Sequence, residues 1–179
     1  MERLKILITG IGIVGKSTFR RALKPFLSEI LSRIKPIRLV VDIDGDYDEM
    51  PNNFDKETLY IIEDVHGPTP KACLPIQDYD LIFYLLPTFL SHLTFWLKRI
   101  TKWFENGEGG WDKETKSRVG NGRSHSLLNL PIFFKLLIRD LKNRRKWIKE
   151  DKEALLPFSE KTTFVYPQWK DKKIRFNLF

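Results

Sequence analysis

The strongest structural signal in the sequence is a short apolar run followed by a glycine-rich segment and a lysine–serine pair. Ile6-Leu7-Ile8 has the character of a buried strand, and the segment Gly10-Ile11-Gly12-Ile13-Val14-Gly15-Lys16-Ser17-Thr18 follows it directly. Helical spacing of apolar residues begins near Lys16. Glycines permit positive φ, so successive backbone N–H groups can turn inward around an anion. The pattern G-x-x-x-x-G-K-[ST] between a strand and a helix therefore predicts a loop that binds phosphate groups.

The residues of this loop have separate expected roles. Lys16 is expected to reach the β- and γ-phosphates, the Ser17 hydroxyl to bind Mg²⁺, and Thr18 to contact the α-phosphate. The positive end of the following helix dipole favours the same anion. No clear guanine-reading N-K-x-D motif is found, which favours ATP with Mg²⁺ as the cofactors. The predicted nucleotide-binding residues are Gly10, Gly12, Ile13, Val14, Gly15, Lys16, Ser17 and Thr18.

The same letters permit other interpretations. Gly10, Gly12 and Gly15 also spell G-x-G-x-x-G, and Asp42 ends the next predicted strand, as a ribose-binding acid does in a dinucleotide-binding fold. Asp42 lies somewhat farther on than the ~20 residues typical of that pattern, and Lys16 would have no role in it. A plain glycine-rich strand–helix turn is the simplest alternative.

Alternation of strands and helices along the chain predicts an α/β protein. Together with the phosphate-loop motif, this alternation predicts a three-layer P-loop NTPase fold with a mainly parallel central sheet and flanking helices. A length of 179 residues suits one domain over 1–179, with a lid or insertion around 89–131. The strands are predicted at 5–9, 37–43, 58–62, 79–86, 162–166 and 173–177, and the helices at 16–34, 88–104 and 136–155.

Two groups of acidic residues follow predicted strands. Glu63 and Asp64 come after Leu59-Tyr60-Ile61-Ile62, so they join Ser17 as candidate Mg²⁺ ligands. Asp44, just past the second strand, lies where a carboxylate could accept a proton from an acceptor hydroxyl. The alternative for both groups is a solvated acidic loop. The Asp42-x-Asp44-x-Asp46 spacing also suggests a calcium loop, but the glycine and the final Glu of that motif are out of place.

Four stretches of the chain resemble the uridine kinase and phosphoribulokinase-like branch of P-loop kinases. They are Gly10–Thr18, then Asp44-Gly45-Asp46-Tyr47 with Asn53-Phe54-Asp55, then Glu63 after its apolar strand, and finally the lid-like Arg139-Asp140-Leu141-Lys142-Asn143-Arg144 with the closing strands. The chain departs from this family where Asp46 replaces an aromatic residue and Asp64 a glycine. It also lacks the helix and hairpin of the nucleoside pocket after Asp55.

This resemblance implies an ATP-dependent kinase that transfers the γ-phosphoryl group of Mg·ATP to a hydroxyl of a small molecule, a nucleoside or similar metabolite. By the same resemblance, Asp44 is the general base and Tyr47 contacts the substrate. Arg139 and Arg144 are expected to brace the transferring phosphoryl group beside the catalytic Lys16.

Further substrate contacts are predicted from position alone. His66 follows the Glu63-Asp64 pair and could line the acceptor pocket, although a structural loop histidine is the alternative. Arg118 and Arg123 lie in the glycine-rich segment, where a closing lid could bring them to the γ-phosphate.

Charge and composition define the remaining alternatives. Lys and Arg number 31 against 23 Asp and Glu, and the net charge of +8 favours polyanionic partners. A nucleotide-dependent regulatory NTPase or a nucleic-acid-binding protein with a basic surface is therefore the second functional class. The lone Cys73, the lack of a secretory pattern and the lack of an apolar run of ~20 residues predict a cytoplasmic protein with no membrane partner.

Overall fold

A computed structural model describes residues 4–33, 39–44, 50–55, 57–64, 66–69, 72–106, 130–170 and 173–178. The described chain is an α/β structure in which a curled, mostly parallel six-stranded sheet is flanked by helices, and this confirms the predicted fold class at that level. Three predicted substrate contacts, Tyr47, Arg118 and Arg123, lie outside the described residues.

The elements match the predicted ones closely along most of the chain. The strands are β1 (Leu4–Thr9), β2 (Leu39–Asp44), β3 (Thr58–Glu63), β4 (Leu81–Leu85), β5 (Thr162–Lys170) and β6 (Lys173–Leu178). The helices are α1 (Lys16–Arg33), α2 (Phe89–Asn106) and α3 (Leu130–Leu155), with short 3₁₀ turns at Ile76–Asp78 and Leu156–Lys161.

Helix α3 begins at Leu130, earlier than the predicted start at Leu136. Pro131 falls in its first turn, where a missing backbone N–H costs the helix nothing. Helix α1 likewise runs through Pro25 and ends at Arg33. Pro131 therefore suits the start of α3, whereas Pro25 does not end α1.

The strands occur in the order β2-β3-β1-β4-β5-β6 across the sheet. The neighbours from β2 through β5 are parallel, and β6 is antiparallel to β5. Ile8 of β1 and Asp44 of β2 both pair with Glu63 at the end of β3. The carboxyl ends of these strands consequently meet at one edge of the sheet, immediately before the glycine-rich loop.

The two faces of the sheet are covered by different parts of the chain. On one face, Ile6 and Ile8 pack in a cluster with Phe19 of α1. On the other face, Leu7 belongs to a cluster that includes Leu155 at the end of α3. A third cluster joins α2 to α3 and consists of Trp96, Ile100, Phe133 and Leu137. Burial of these side chains fixes the helices relative to the loop that follows β1.

No helix within the described residues is long and apolar enough to cross a membrane.

Candidate phosphate-binding site

The segment between β1 and α1 has the backbone geometry that its glycines predict. Positive φ angles occur at Gly10 (141°), Ile13 (53°) and Gly15 (87°). A Cβ atom at Gly10 would lie 2.5 Å from the backbone oxygen of Leu85 in β4, so the close approach of β4 admits only glycine there. Helix α1 then begins at Lys16 and directs its first-turn N–H groups toward the loop.

Ile13 is the one non-glycine residue with positive φ among the described residues. A β-branched side chain in this conformation costs about 1–2 kcal/mol, so its surroundings must enforce it. The Ile13 side chain packs against the cluster of Trp96, Ile100, Phe133 and Leu137 between α2 and α3. The loop conformation is therefore coupled to the packing of these two helices.

Lys16 is folded back onto the loop that precedes it. The residue is 5% exposed, and its Nζ donates hydrogen bonds to the backbone oxygens of Gly10 at 3.0 Å and Ile11 at 3.2 Å. A buried ammonium group bonded to carbonyl oxygens is a positive charge held at the bottom of the loop. Phosphate oxygens entering the loop would offer this group stronger, charged acceptors.

Ser17 and Glu63 are brought together from positions 46 residues apart. The Ser17 hydroxyl donates a hydrogen bond of 2.9 Å to Oε1 of Glu63, which is the last residue of β3. Arg20, one turn further along α1, places its Nε 3.5 Å from Glu63 Oε2. Two of the three predicted magnesium ligands, the loop serine and the strand-end glutamate, are thus in direct contact.

Asp64, the second predicted metal ligand, faces its own loop. Its Oδ1 accepts a hydrogen bond of 2.7 Å from the backbone N–H of His66, and its Oδ2 one of 2.6 Å from that of Cys73. The side chain is fully buried. These contacts assign Asp64 to the structure of the 64–73 loop, whereas Glu63 is the acid that meets Ser17. His66 is exposed and contributes its backbone N–H to this loop.

The other predicted catalytic residues are distributed around the loop. Asp44 is the last residue of β2 and pairs in register with Glu63. Arg144 of α3 is half-buried and donates a hydrogen bond to the backbone oxygen of Pro87, just past β4. The Arg139 side chain is 59% exposed and contacts Asp140 rather than the loop.

Two residues of the site were not among those predicted from the sequence. His92, in the first turn of α2, places Nε2 2.8 Å from the backbone oxygen of Gly12. Asp140 of α3 lies against the same glycine, since a Cβ at Gly12 would be 3.0 Å from its Oδ2. The spacing of the sequence could have predicted the burial of Asp140, because it lies three residues after the apolar Leu137 and hence on the buried face of a helix.

Burial determines the protonation state of His92. The ring is 1% exposed, and removal from solvent, more than the nearby Arg144 and Lys16 charges, lowers the pKa of His92 to about 4. The Gly12 carbonyl can only accept a hydrogen bond, so the neutral ring carries its proton on Nε2. His92 therefore holds the loop by a neutral N–H donor at physiological pH.

The His92 contact predicts an acid-dependent loss of stability. Because the folded-state pKa of about 4 lies below the ordinary value of 6.5, the stabilisation is complete above pH 6.5 and is lost as the pH falls toward 4. The full difference corresponds to about 3 kcal/mol. We expect the difference in unfolding free energy between wild type and His92→Gln to shrink by about 2–3 kcal/mol between pH 7 and pH 4.5.

Urea denaturation at a series of pH values measures this difference. Glutamine retains an N–H donor for the Gly12 carbonyl but does not titrate, so the two proteins differ chiefly in the protonation of one ring. His66→Gln, at an exposed position, is the control for removing a surface imidazole. A wild-type minus His92→Gln difference that stays constant with pH would contradict the assignment.

Comparison with known proteins does not assign the chain to a family. The sequence matches no protein-family model, and a search of curated proteins gave no significant match. The described residues contain no group of three or more His, Cys, Asp or Glu side chains arranged to hold a metal ion.

Proposed function

We propose that this protein is a P-loop kinase that transfers the γ-phosphoryl group of Mg·ATP to a hydroxyl group of a small molecule. The observation that carries the proposal is the 2.9 Å hydrogen bond between Ser17, at the start of α1, and Glu63, at the end of β3. A phosphate-binding loop needs a hydroxyl and a strand-end acid at one metal position, and this contact provides both beside the glycine-rich turn.

The strand order favours this interpretation over dinucleotide binding. In the dinucleotide-binding order 3-2-1-4-5-6, the second strand lies beside the first and presents its terminal acid to the ribose. Here β3 lies beside β1, and β2 is one strand farther away. Asp42 of β2, moreover, forms an ion pair of 3.0 Å with Lys24 of α1.

The side chains around Ser17 fit a magnesium ion. The Ser17 hydroxyl and the Glu63 carboxylate are oxygen donors of the kind that Mg²⁺ prefers, and they would hold it directly or through water. When bound, the ion would neutralise charge on the β- and γ-phosphates. The 2.9 Å hydrogen bond keeps the two ligand groups on the same side of the loop.

Other residues of the chain would take the remaining roles in phosphoryl transfer. Loop amides and Lys16 would bind the phosphate chain and offset its charge. Asp44, which ends β2 in register with Glu63, would act as the general base. Arg144 lies on α3 near the end of β4, where it could approach the γ-phosphoryl group.

A combined binding and product screen tests the kinase proposal. Thermal unfolding is followed with Mg²⁺ and ATP or GTP, each alone and with nucleosides, sugars and other alcohols, and ³¹P NMR detects phosphorylated product. We expect one class of acceptor to stabilise the protein further when nucleotide is present and to yield product. Nucleotide binding without product from any acceptor would favour a regulatory NTPase, and absence of binding would refute both.

A nucleic-acid-dependent NTPase is the second candidate, because α3 carries a row of exposed cations. Spacings of three and four residues place five of them along one side of the helix, namely Lys135, Arg139, Lys142, Lys146 and Lys149. Ion pairs partly neutralise three of them, through Arg139–Asp140 at 3.0 Å, Lys146–Glu150 at 3.8 Å and Lys149–Glu153 at 3.7 Å. Such a row can track a phosphate backbone.

Charge reversal tests this second candidate. If the row binds single-stranded RNA or DNA, substitution of Lys135, Lys142 and Lys146 by glutamate should weaken binding. The slope of log affinity against log salt should fall by about 2, since each phosphate contact contributes about 0.7. Reversal of Lys170, Lys173 and Arg175 on the β5–β6 hairpin makes the same change in net charge elsewhere. Equal effects of the two triple variants would exclude a site on α3.

A further inference from the structure

Asp140 is a buried acid in contact with the phosphate-binding loop. The residue is 4% exposed, and Arg139 donates to its Oδ1 from Nε at 3.2 Å and from Nη2 at 3.0 Å. Its other oxygen, Oδ2, rests against Gly12, where even a methyl group would be crowded at 3.0 Å. Helix α3 therefore delivers a carboxylate oxygen directly onto a loop whose backbone is shaped to receive an anion.

The charge environment of Asp140 overlaps with that of the loop. Burial raises the pKa of the Asp140 carboxyl, while the Arg139 hydrogen bonds and the charges of Arg139 and Lys16 act to lower it. Lys16 is also the group that would neutralise a bound phosphate chain. The carboxylate and an incoming phosphate would thus share one buried positive charge.

Two like charges beside the same buried ammonium cannot both be stabilised fully. We propose that Asp140 is an internal anion of the phosphate-binding loop, which competes with the triphosphate until it is neutralised or withdrawn with α3. This inference rests on the proposed phosphate-binding function and concerns the regulation of that site. It explains why Gly12 has no side chain and why an acid occupies the buried face of α3.

The competition has a defined pH dependence. The Asp140 carboxylate repels an anion when it is charged and not when it is protonated. It therefore weakens anion binding most at high pH and least at low pH. The charged groups that act on it are the neighbouring Arg139 on α3 and Lys16 at the start of α1. His92 of α2 contacts the same glycine but is neutral between pH 6 and pH 8, since its pKa is about 4.

Calorimetric titration of Asp140→Asn tests the inference, with Mg·ATP and with inorganic tripolyphosphate as probes at pH 6 and pH 8. We expect the variant to bind both probes about tenfold more tightly than wild type at pH 8. The ratio of variant to wild-type affinity should be smaller at pH 6 than at pH 8, and titration of the probe itself cancels in this ratio. Asparagine keeps an oxygen for Arg139, so the contact between these residues persists.

Asp151→Asn is the matched control. Asp151 lies on the same helix, burial likewise raises its carboxyl pKa, and the Lys16 charge acts on it too. Its Oδ2 accepts a hydrogen bond of 2.7 Å from the Tyr84 hydroxyl, whereas Asp140 is the acid that lies against Gly12. Tightening of equal size in both variants, or no tightening in Asp140→Asn, would overturn the inference. A fall in turnover at unchanged affinity would also overturn it, because it would make Asp140 a catalytic group.

The two probes separate this inference from the proposed function. Binding of Mg·ATP to wild type without tightening in Asp140→Asn would leave the kinase proposal standing and remove the internal anion. If Asp140→Asn binds tripolyphosphate more tightly than wild type but neither protein binds ATP, the internal anion stands and the kinase proposal falls. Failure of both proteins to bind either probe would overturn both.

Discussion

Replacing Lys16 with methionine should lower nucleotide-dependent turnover by at least about 100-fold and weaken the binding of Mg·ATP. Lys16 is the buried cation of the loop, with hydrogen bonds of 3.0 and 3.2 Å to the backbone oxygens of Gly10 and Ile11. In the bound state the same ammonium group would contact the phosphates, whose charge increases locally during transfer. Methionine fills a similar volume and supplies neither charge nor donors.

Calorimetric titration and steady-state turnover measure the two effects of this substitution. Lys24→Met is the matched control, because Lys24 lies on the same helix and its ion pair with Asp42 is partly solvent-exposed. It should leave nucleotide affinity and turnover within a factor of about two. Unchanged Mg·ATP affinity in Lys16→Met would show that the loop does not hold the phosphate chain and would remove the basis of the kinase proposal.

The loop and its flanking elements could be predicted because their determinants are contiguous in the chain. A buried strand, three glycines and a helical pattern all fall within the first 34 residues, and each constrains the backbone locally. Glu63 was also predictable, since a parallel strand that ends in an acid brings that acid to the loop edge whenever it lies beside β1. The 2.9 Å contact with Ser17 agrees with this reasoning.

The contribution of Asp140 and His92 was not predictable in the same way. His92 meets Gly12 across 80 residues of sequence, and the contact depends on how α2 packs on the loop rather than on a local pattern. Asp140 falls within the stretch that resembles a kinase lid helix. In that stretch the resemblance predicts functional roles for Arg139 and Arg144 and none for Asp140. The fold buries the acid against the loop and leaves Arg139 largely in solvent.

The pair Glu63-Asp64 illustrates how little a sequence pattern says about side-chain direction. Successive residues at a strand end point to opposite sides, so two adjacent acids cannot both face the loop. Glu63 contacts Ser17 and Arg20, whereas Asp64 accepts hydrogen bonds from the amides of His66 and Cys73. We therefore expect neutralisation of Glu63 to change magnesium-dependent nucleotide binding, and neutralisation of Asp64 to change the unfolding free energy instead.

Substitution of Glu63 by glutamine should abolish the magnesium-dependent part of nucleotide binding and reduce turnover by about 100-fold. In the proposed site, Glu63 would supply a charged oxygen ligand beside the Ser17 hydroxyl, and glutamine keeps the shape of the side chain without its charge. Titration of ATP with and without Mg²⁺, by calorimetry, measures the effect as a ratio of affinities. We expect that ratio to approach one in Glu63→Gln.

Asp64→Asn is the contrasting variant for this experiment. One of its two loop amides would face an NH₂ group in place of an oxygen, which should cost about 1–3 kcal/mol of unfolding free energy. Its magnesium-dependent affinity ratio should nevertheless match that of wild type. Because Glu63→Gln also removes the Arg20–Glu63 ion pair, Ser17→Ala provides a second test that leaves this ion pair intact. If the ratio of ATP affinities with and without Mg²⁺ equals that of wild type in both Glu63→Gln and Ser17→Ala, the metal site lies elsewhere. Glu63 then has no role as a metal ligand in catalysis.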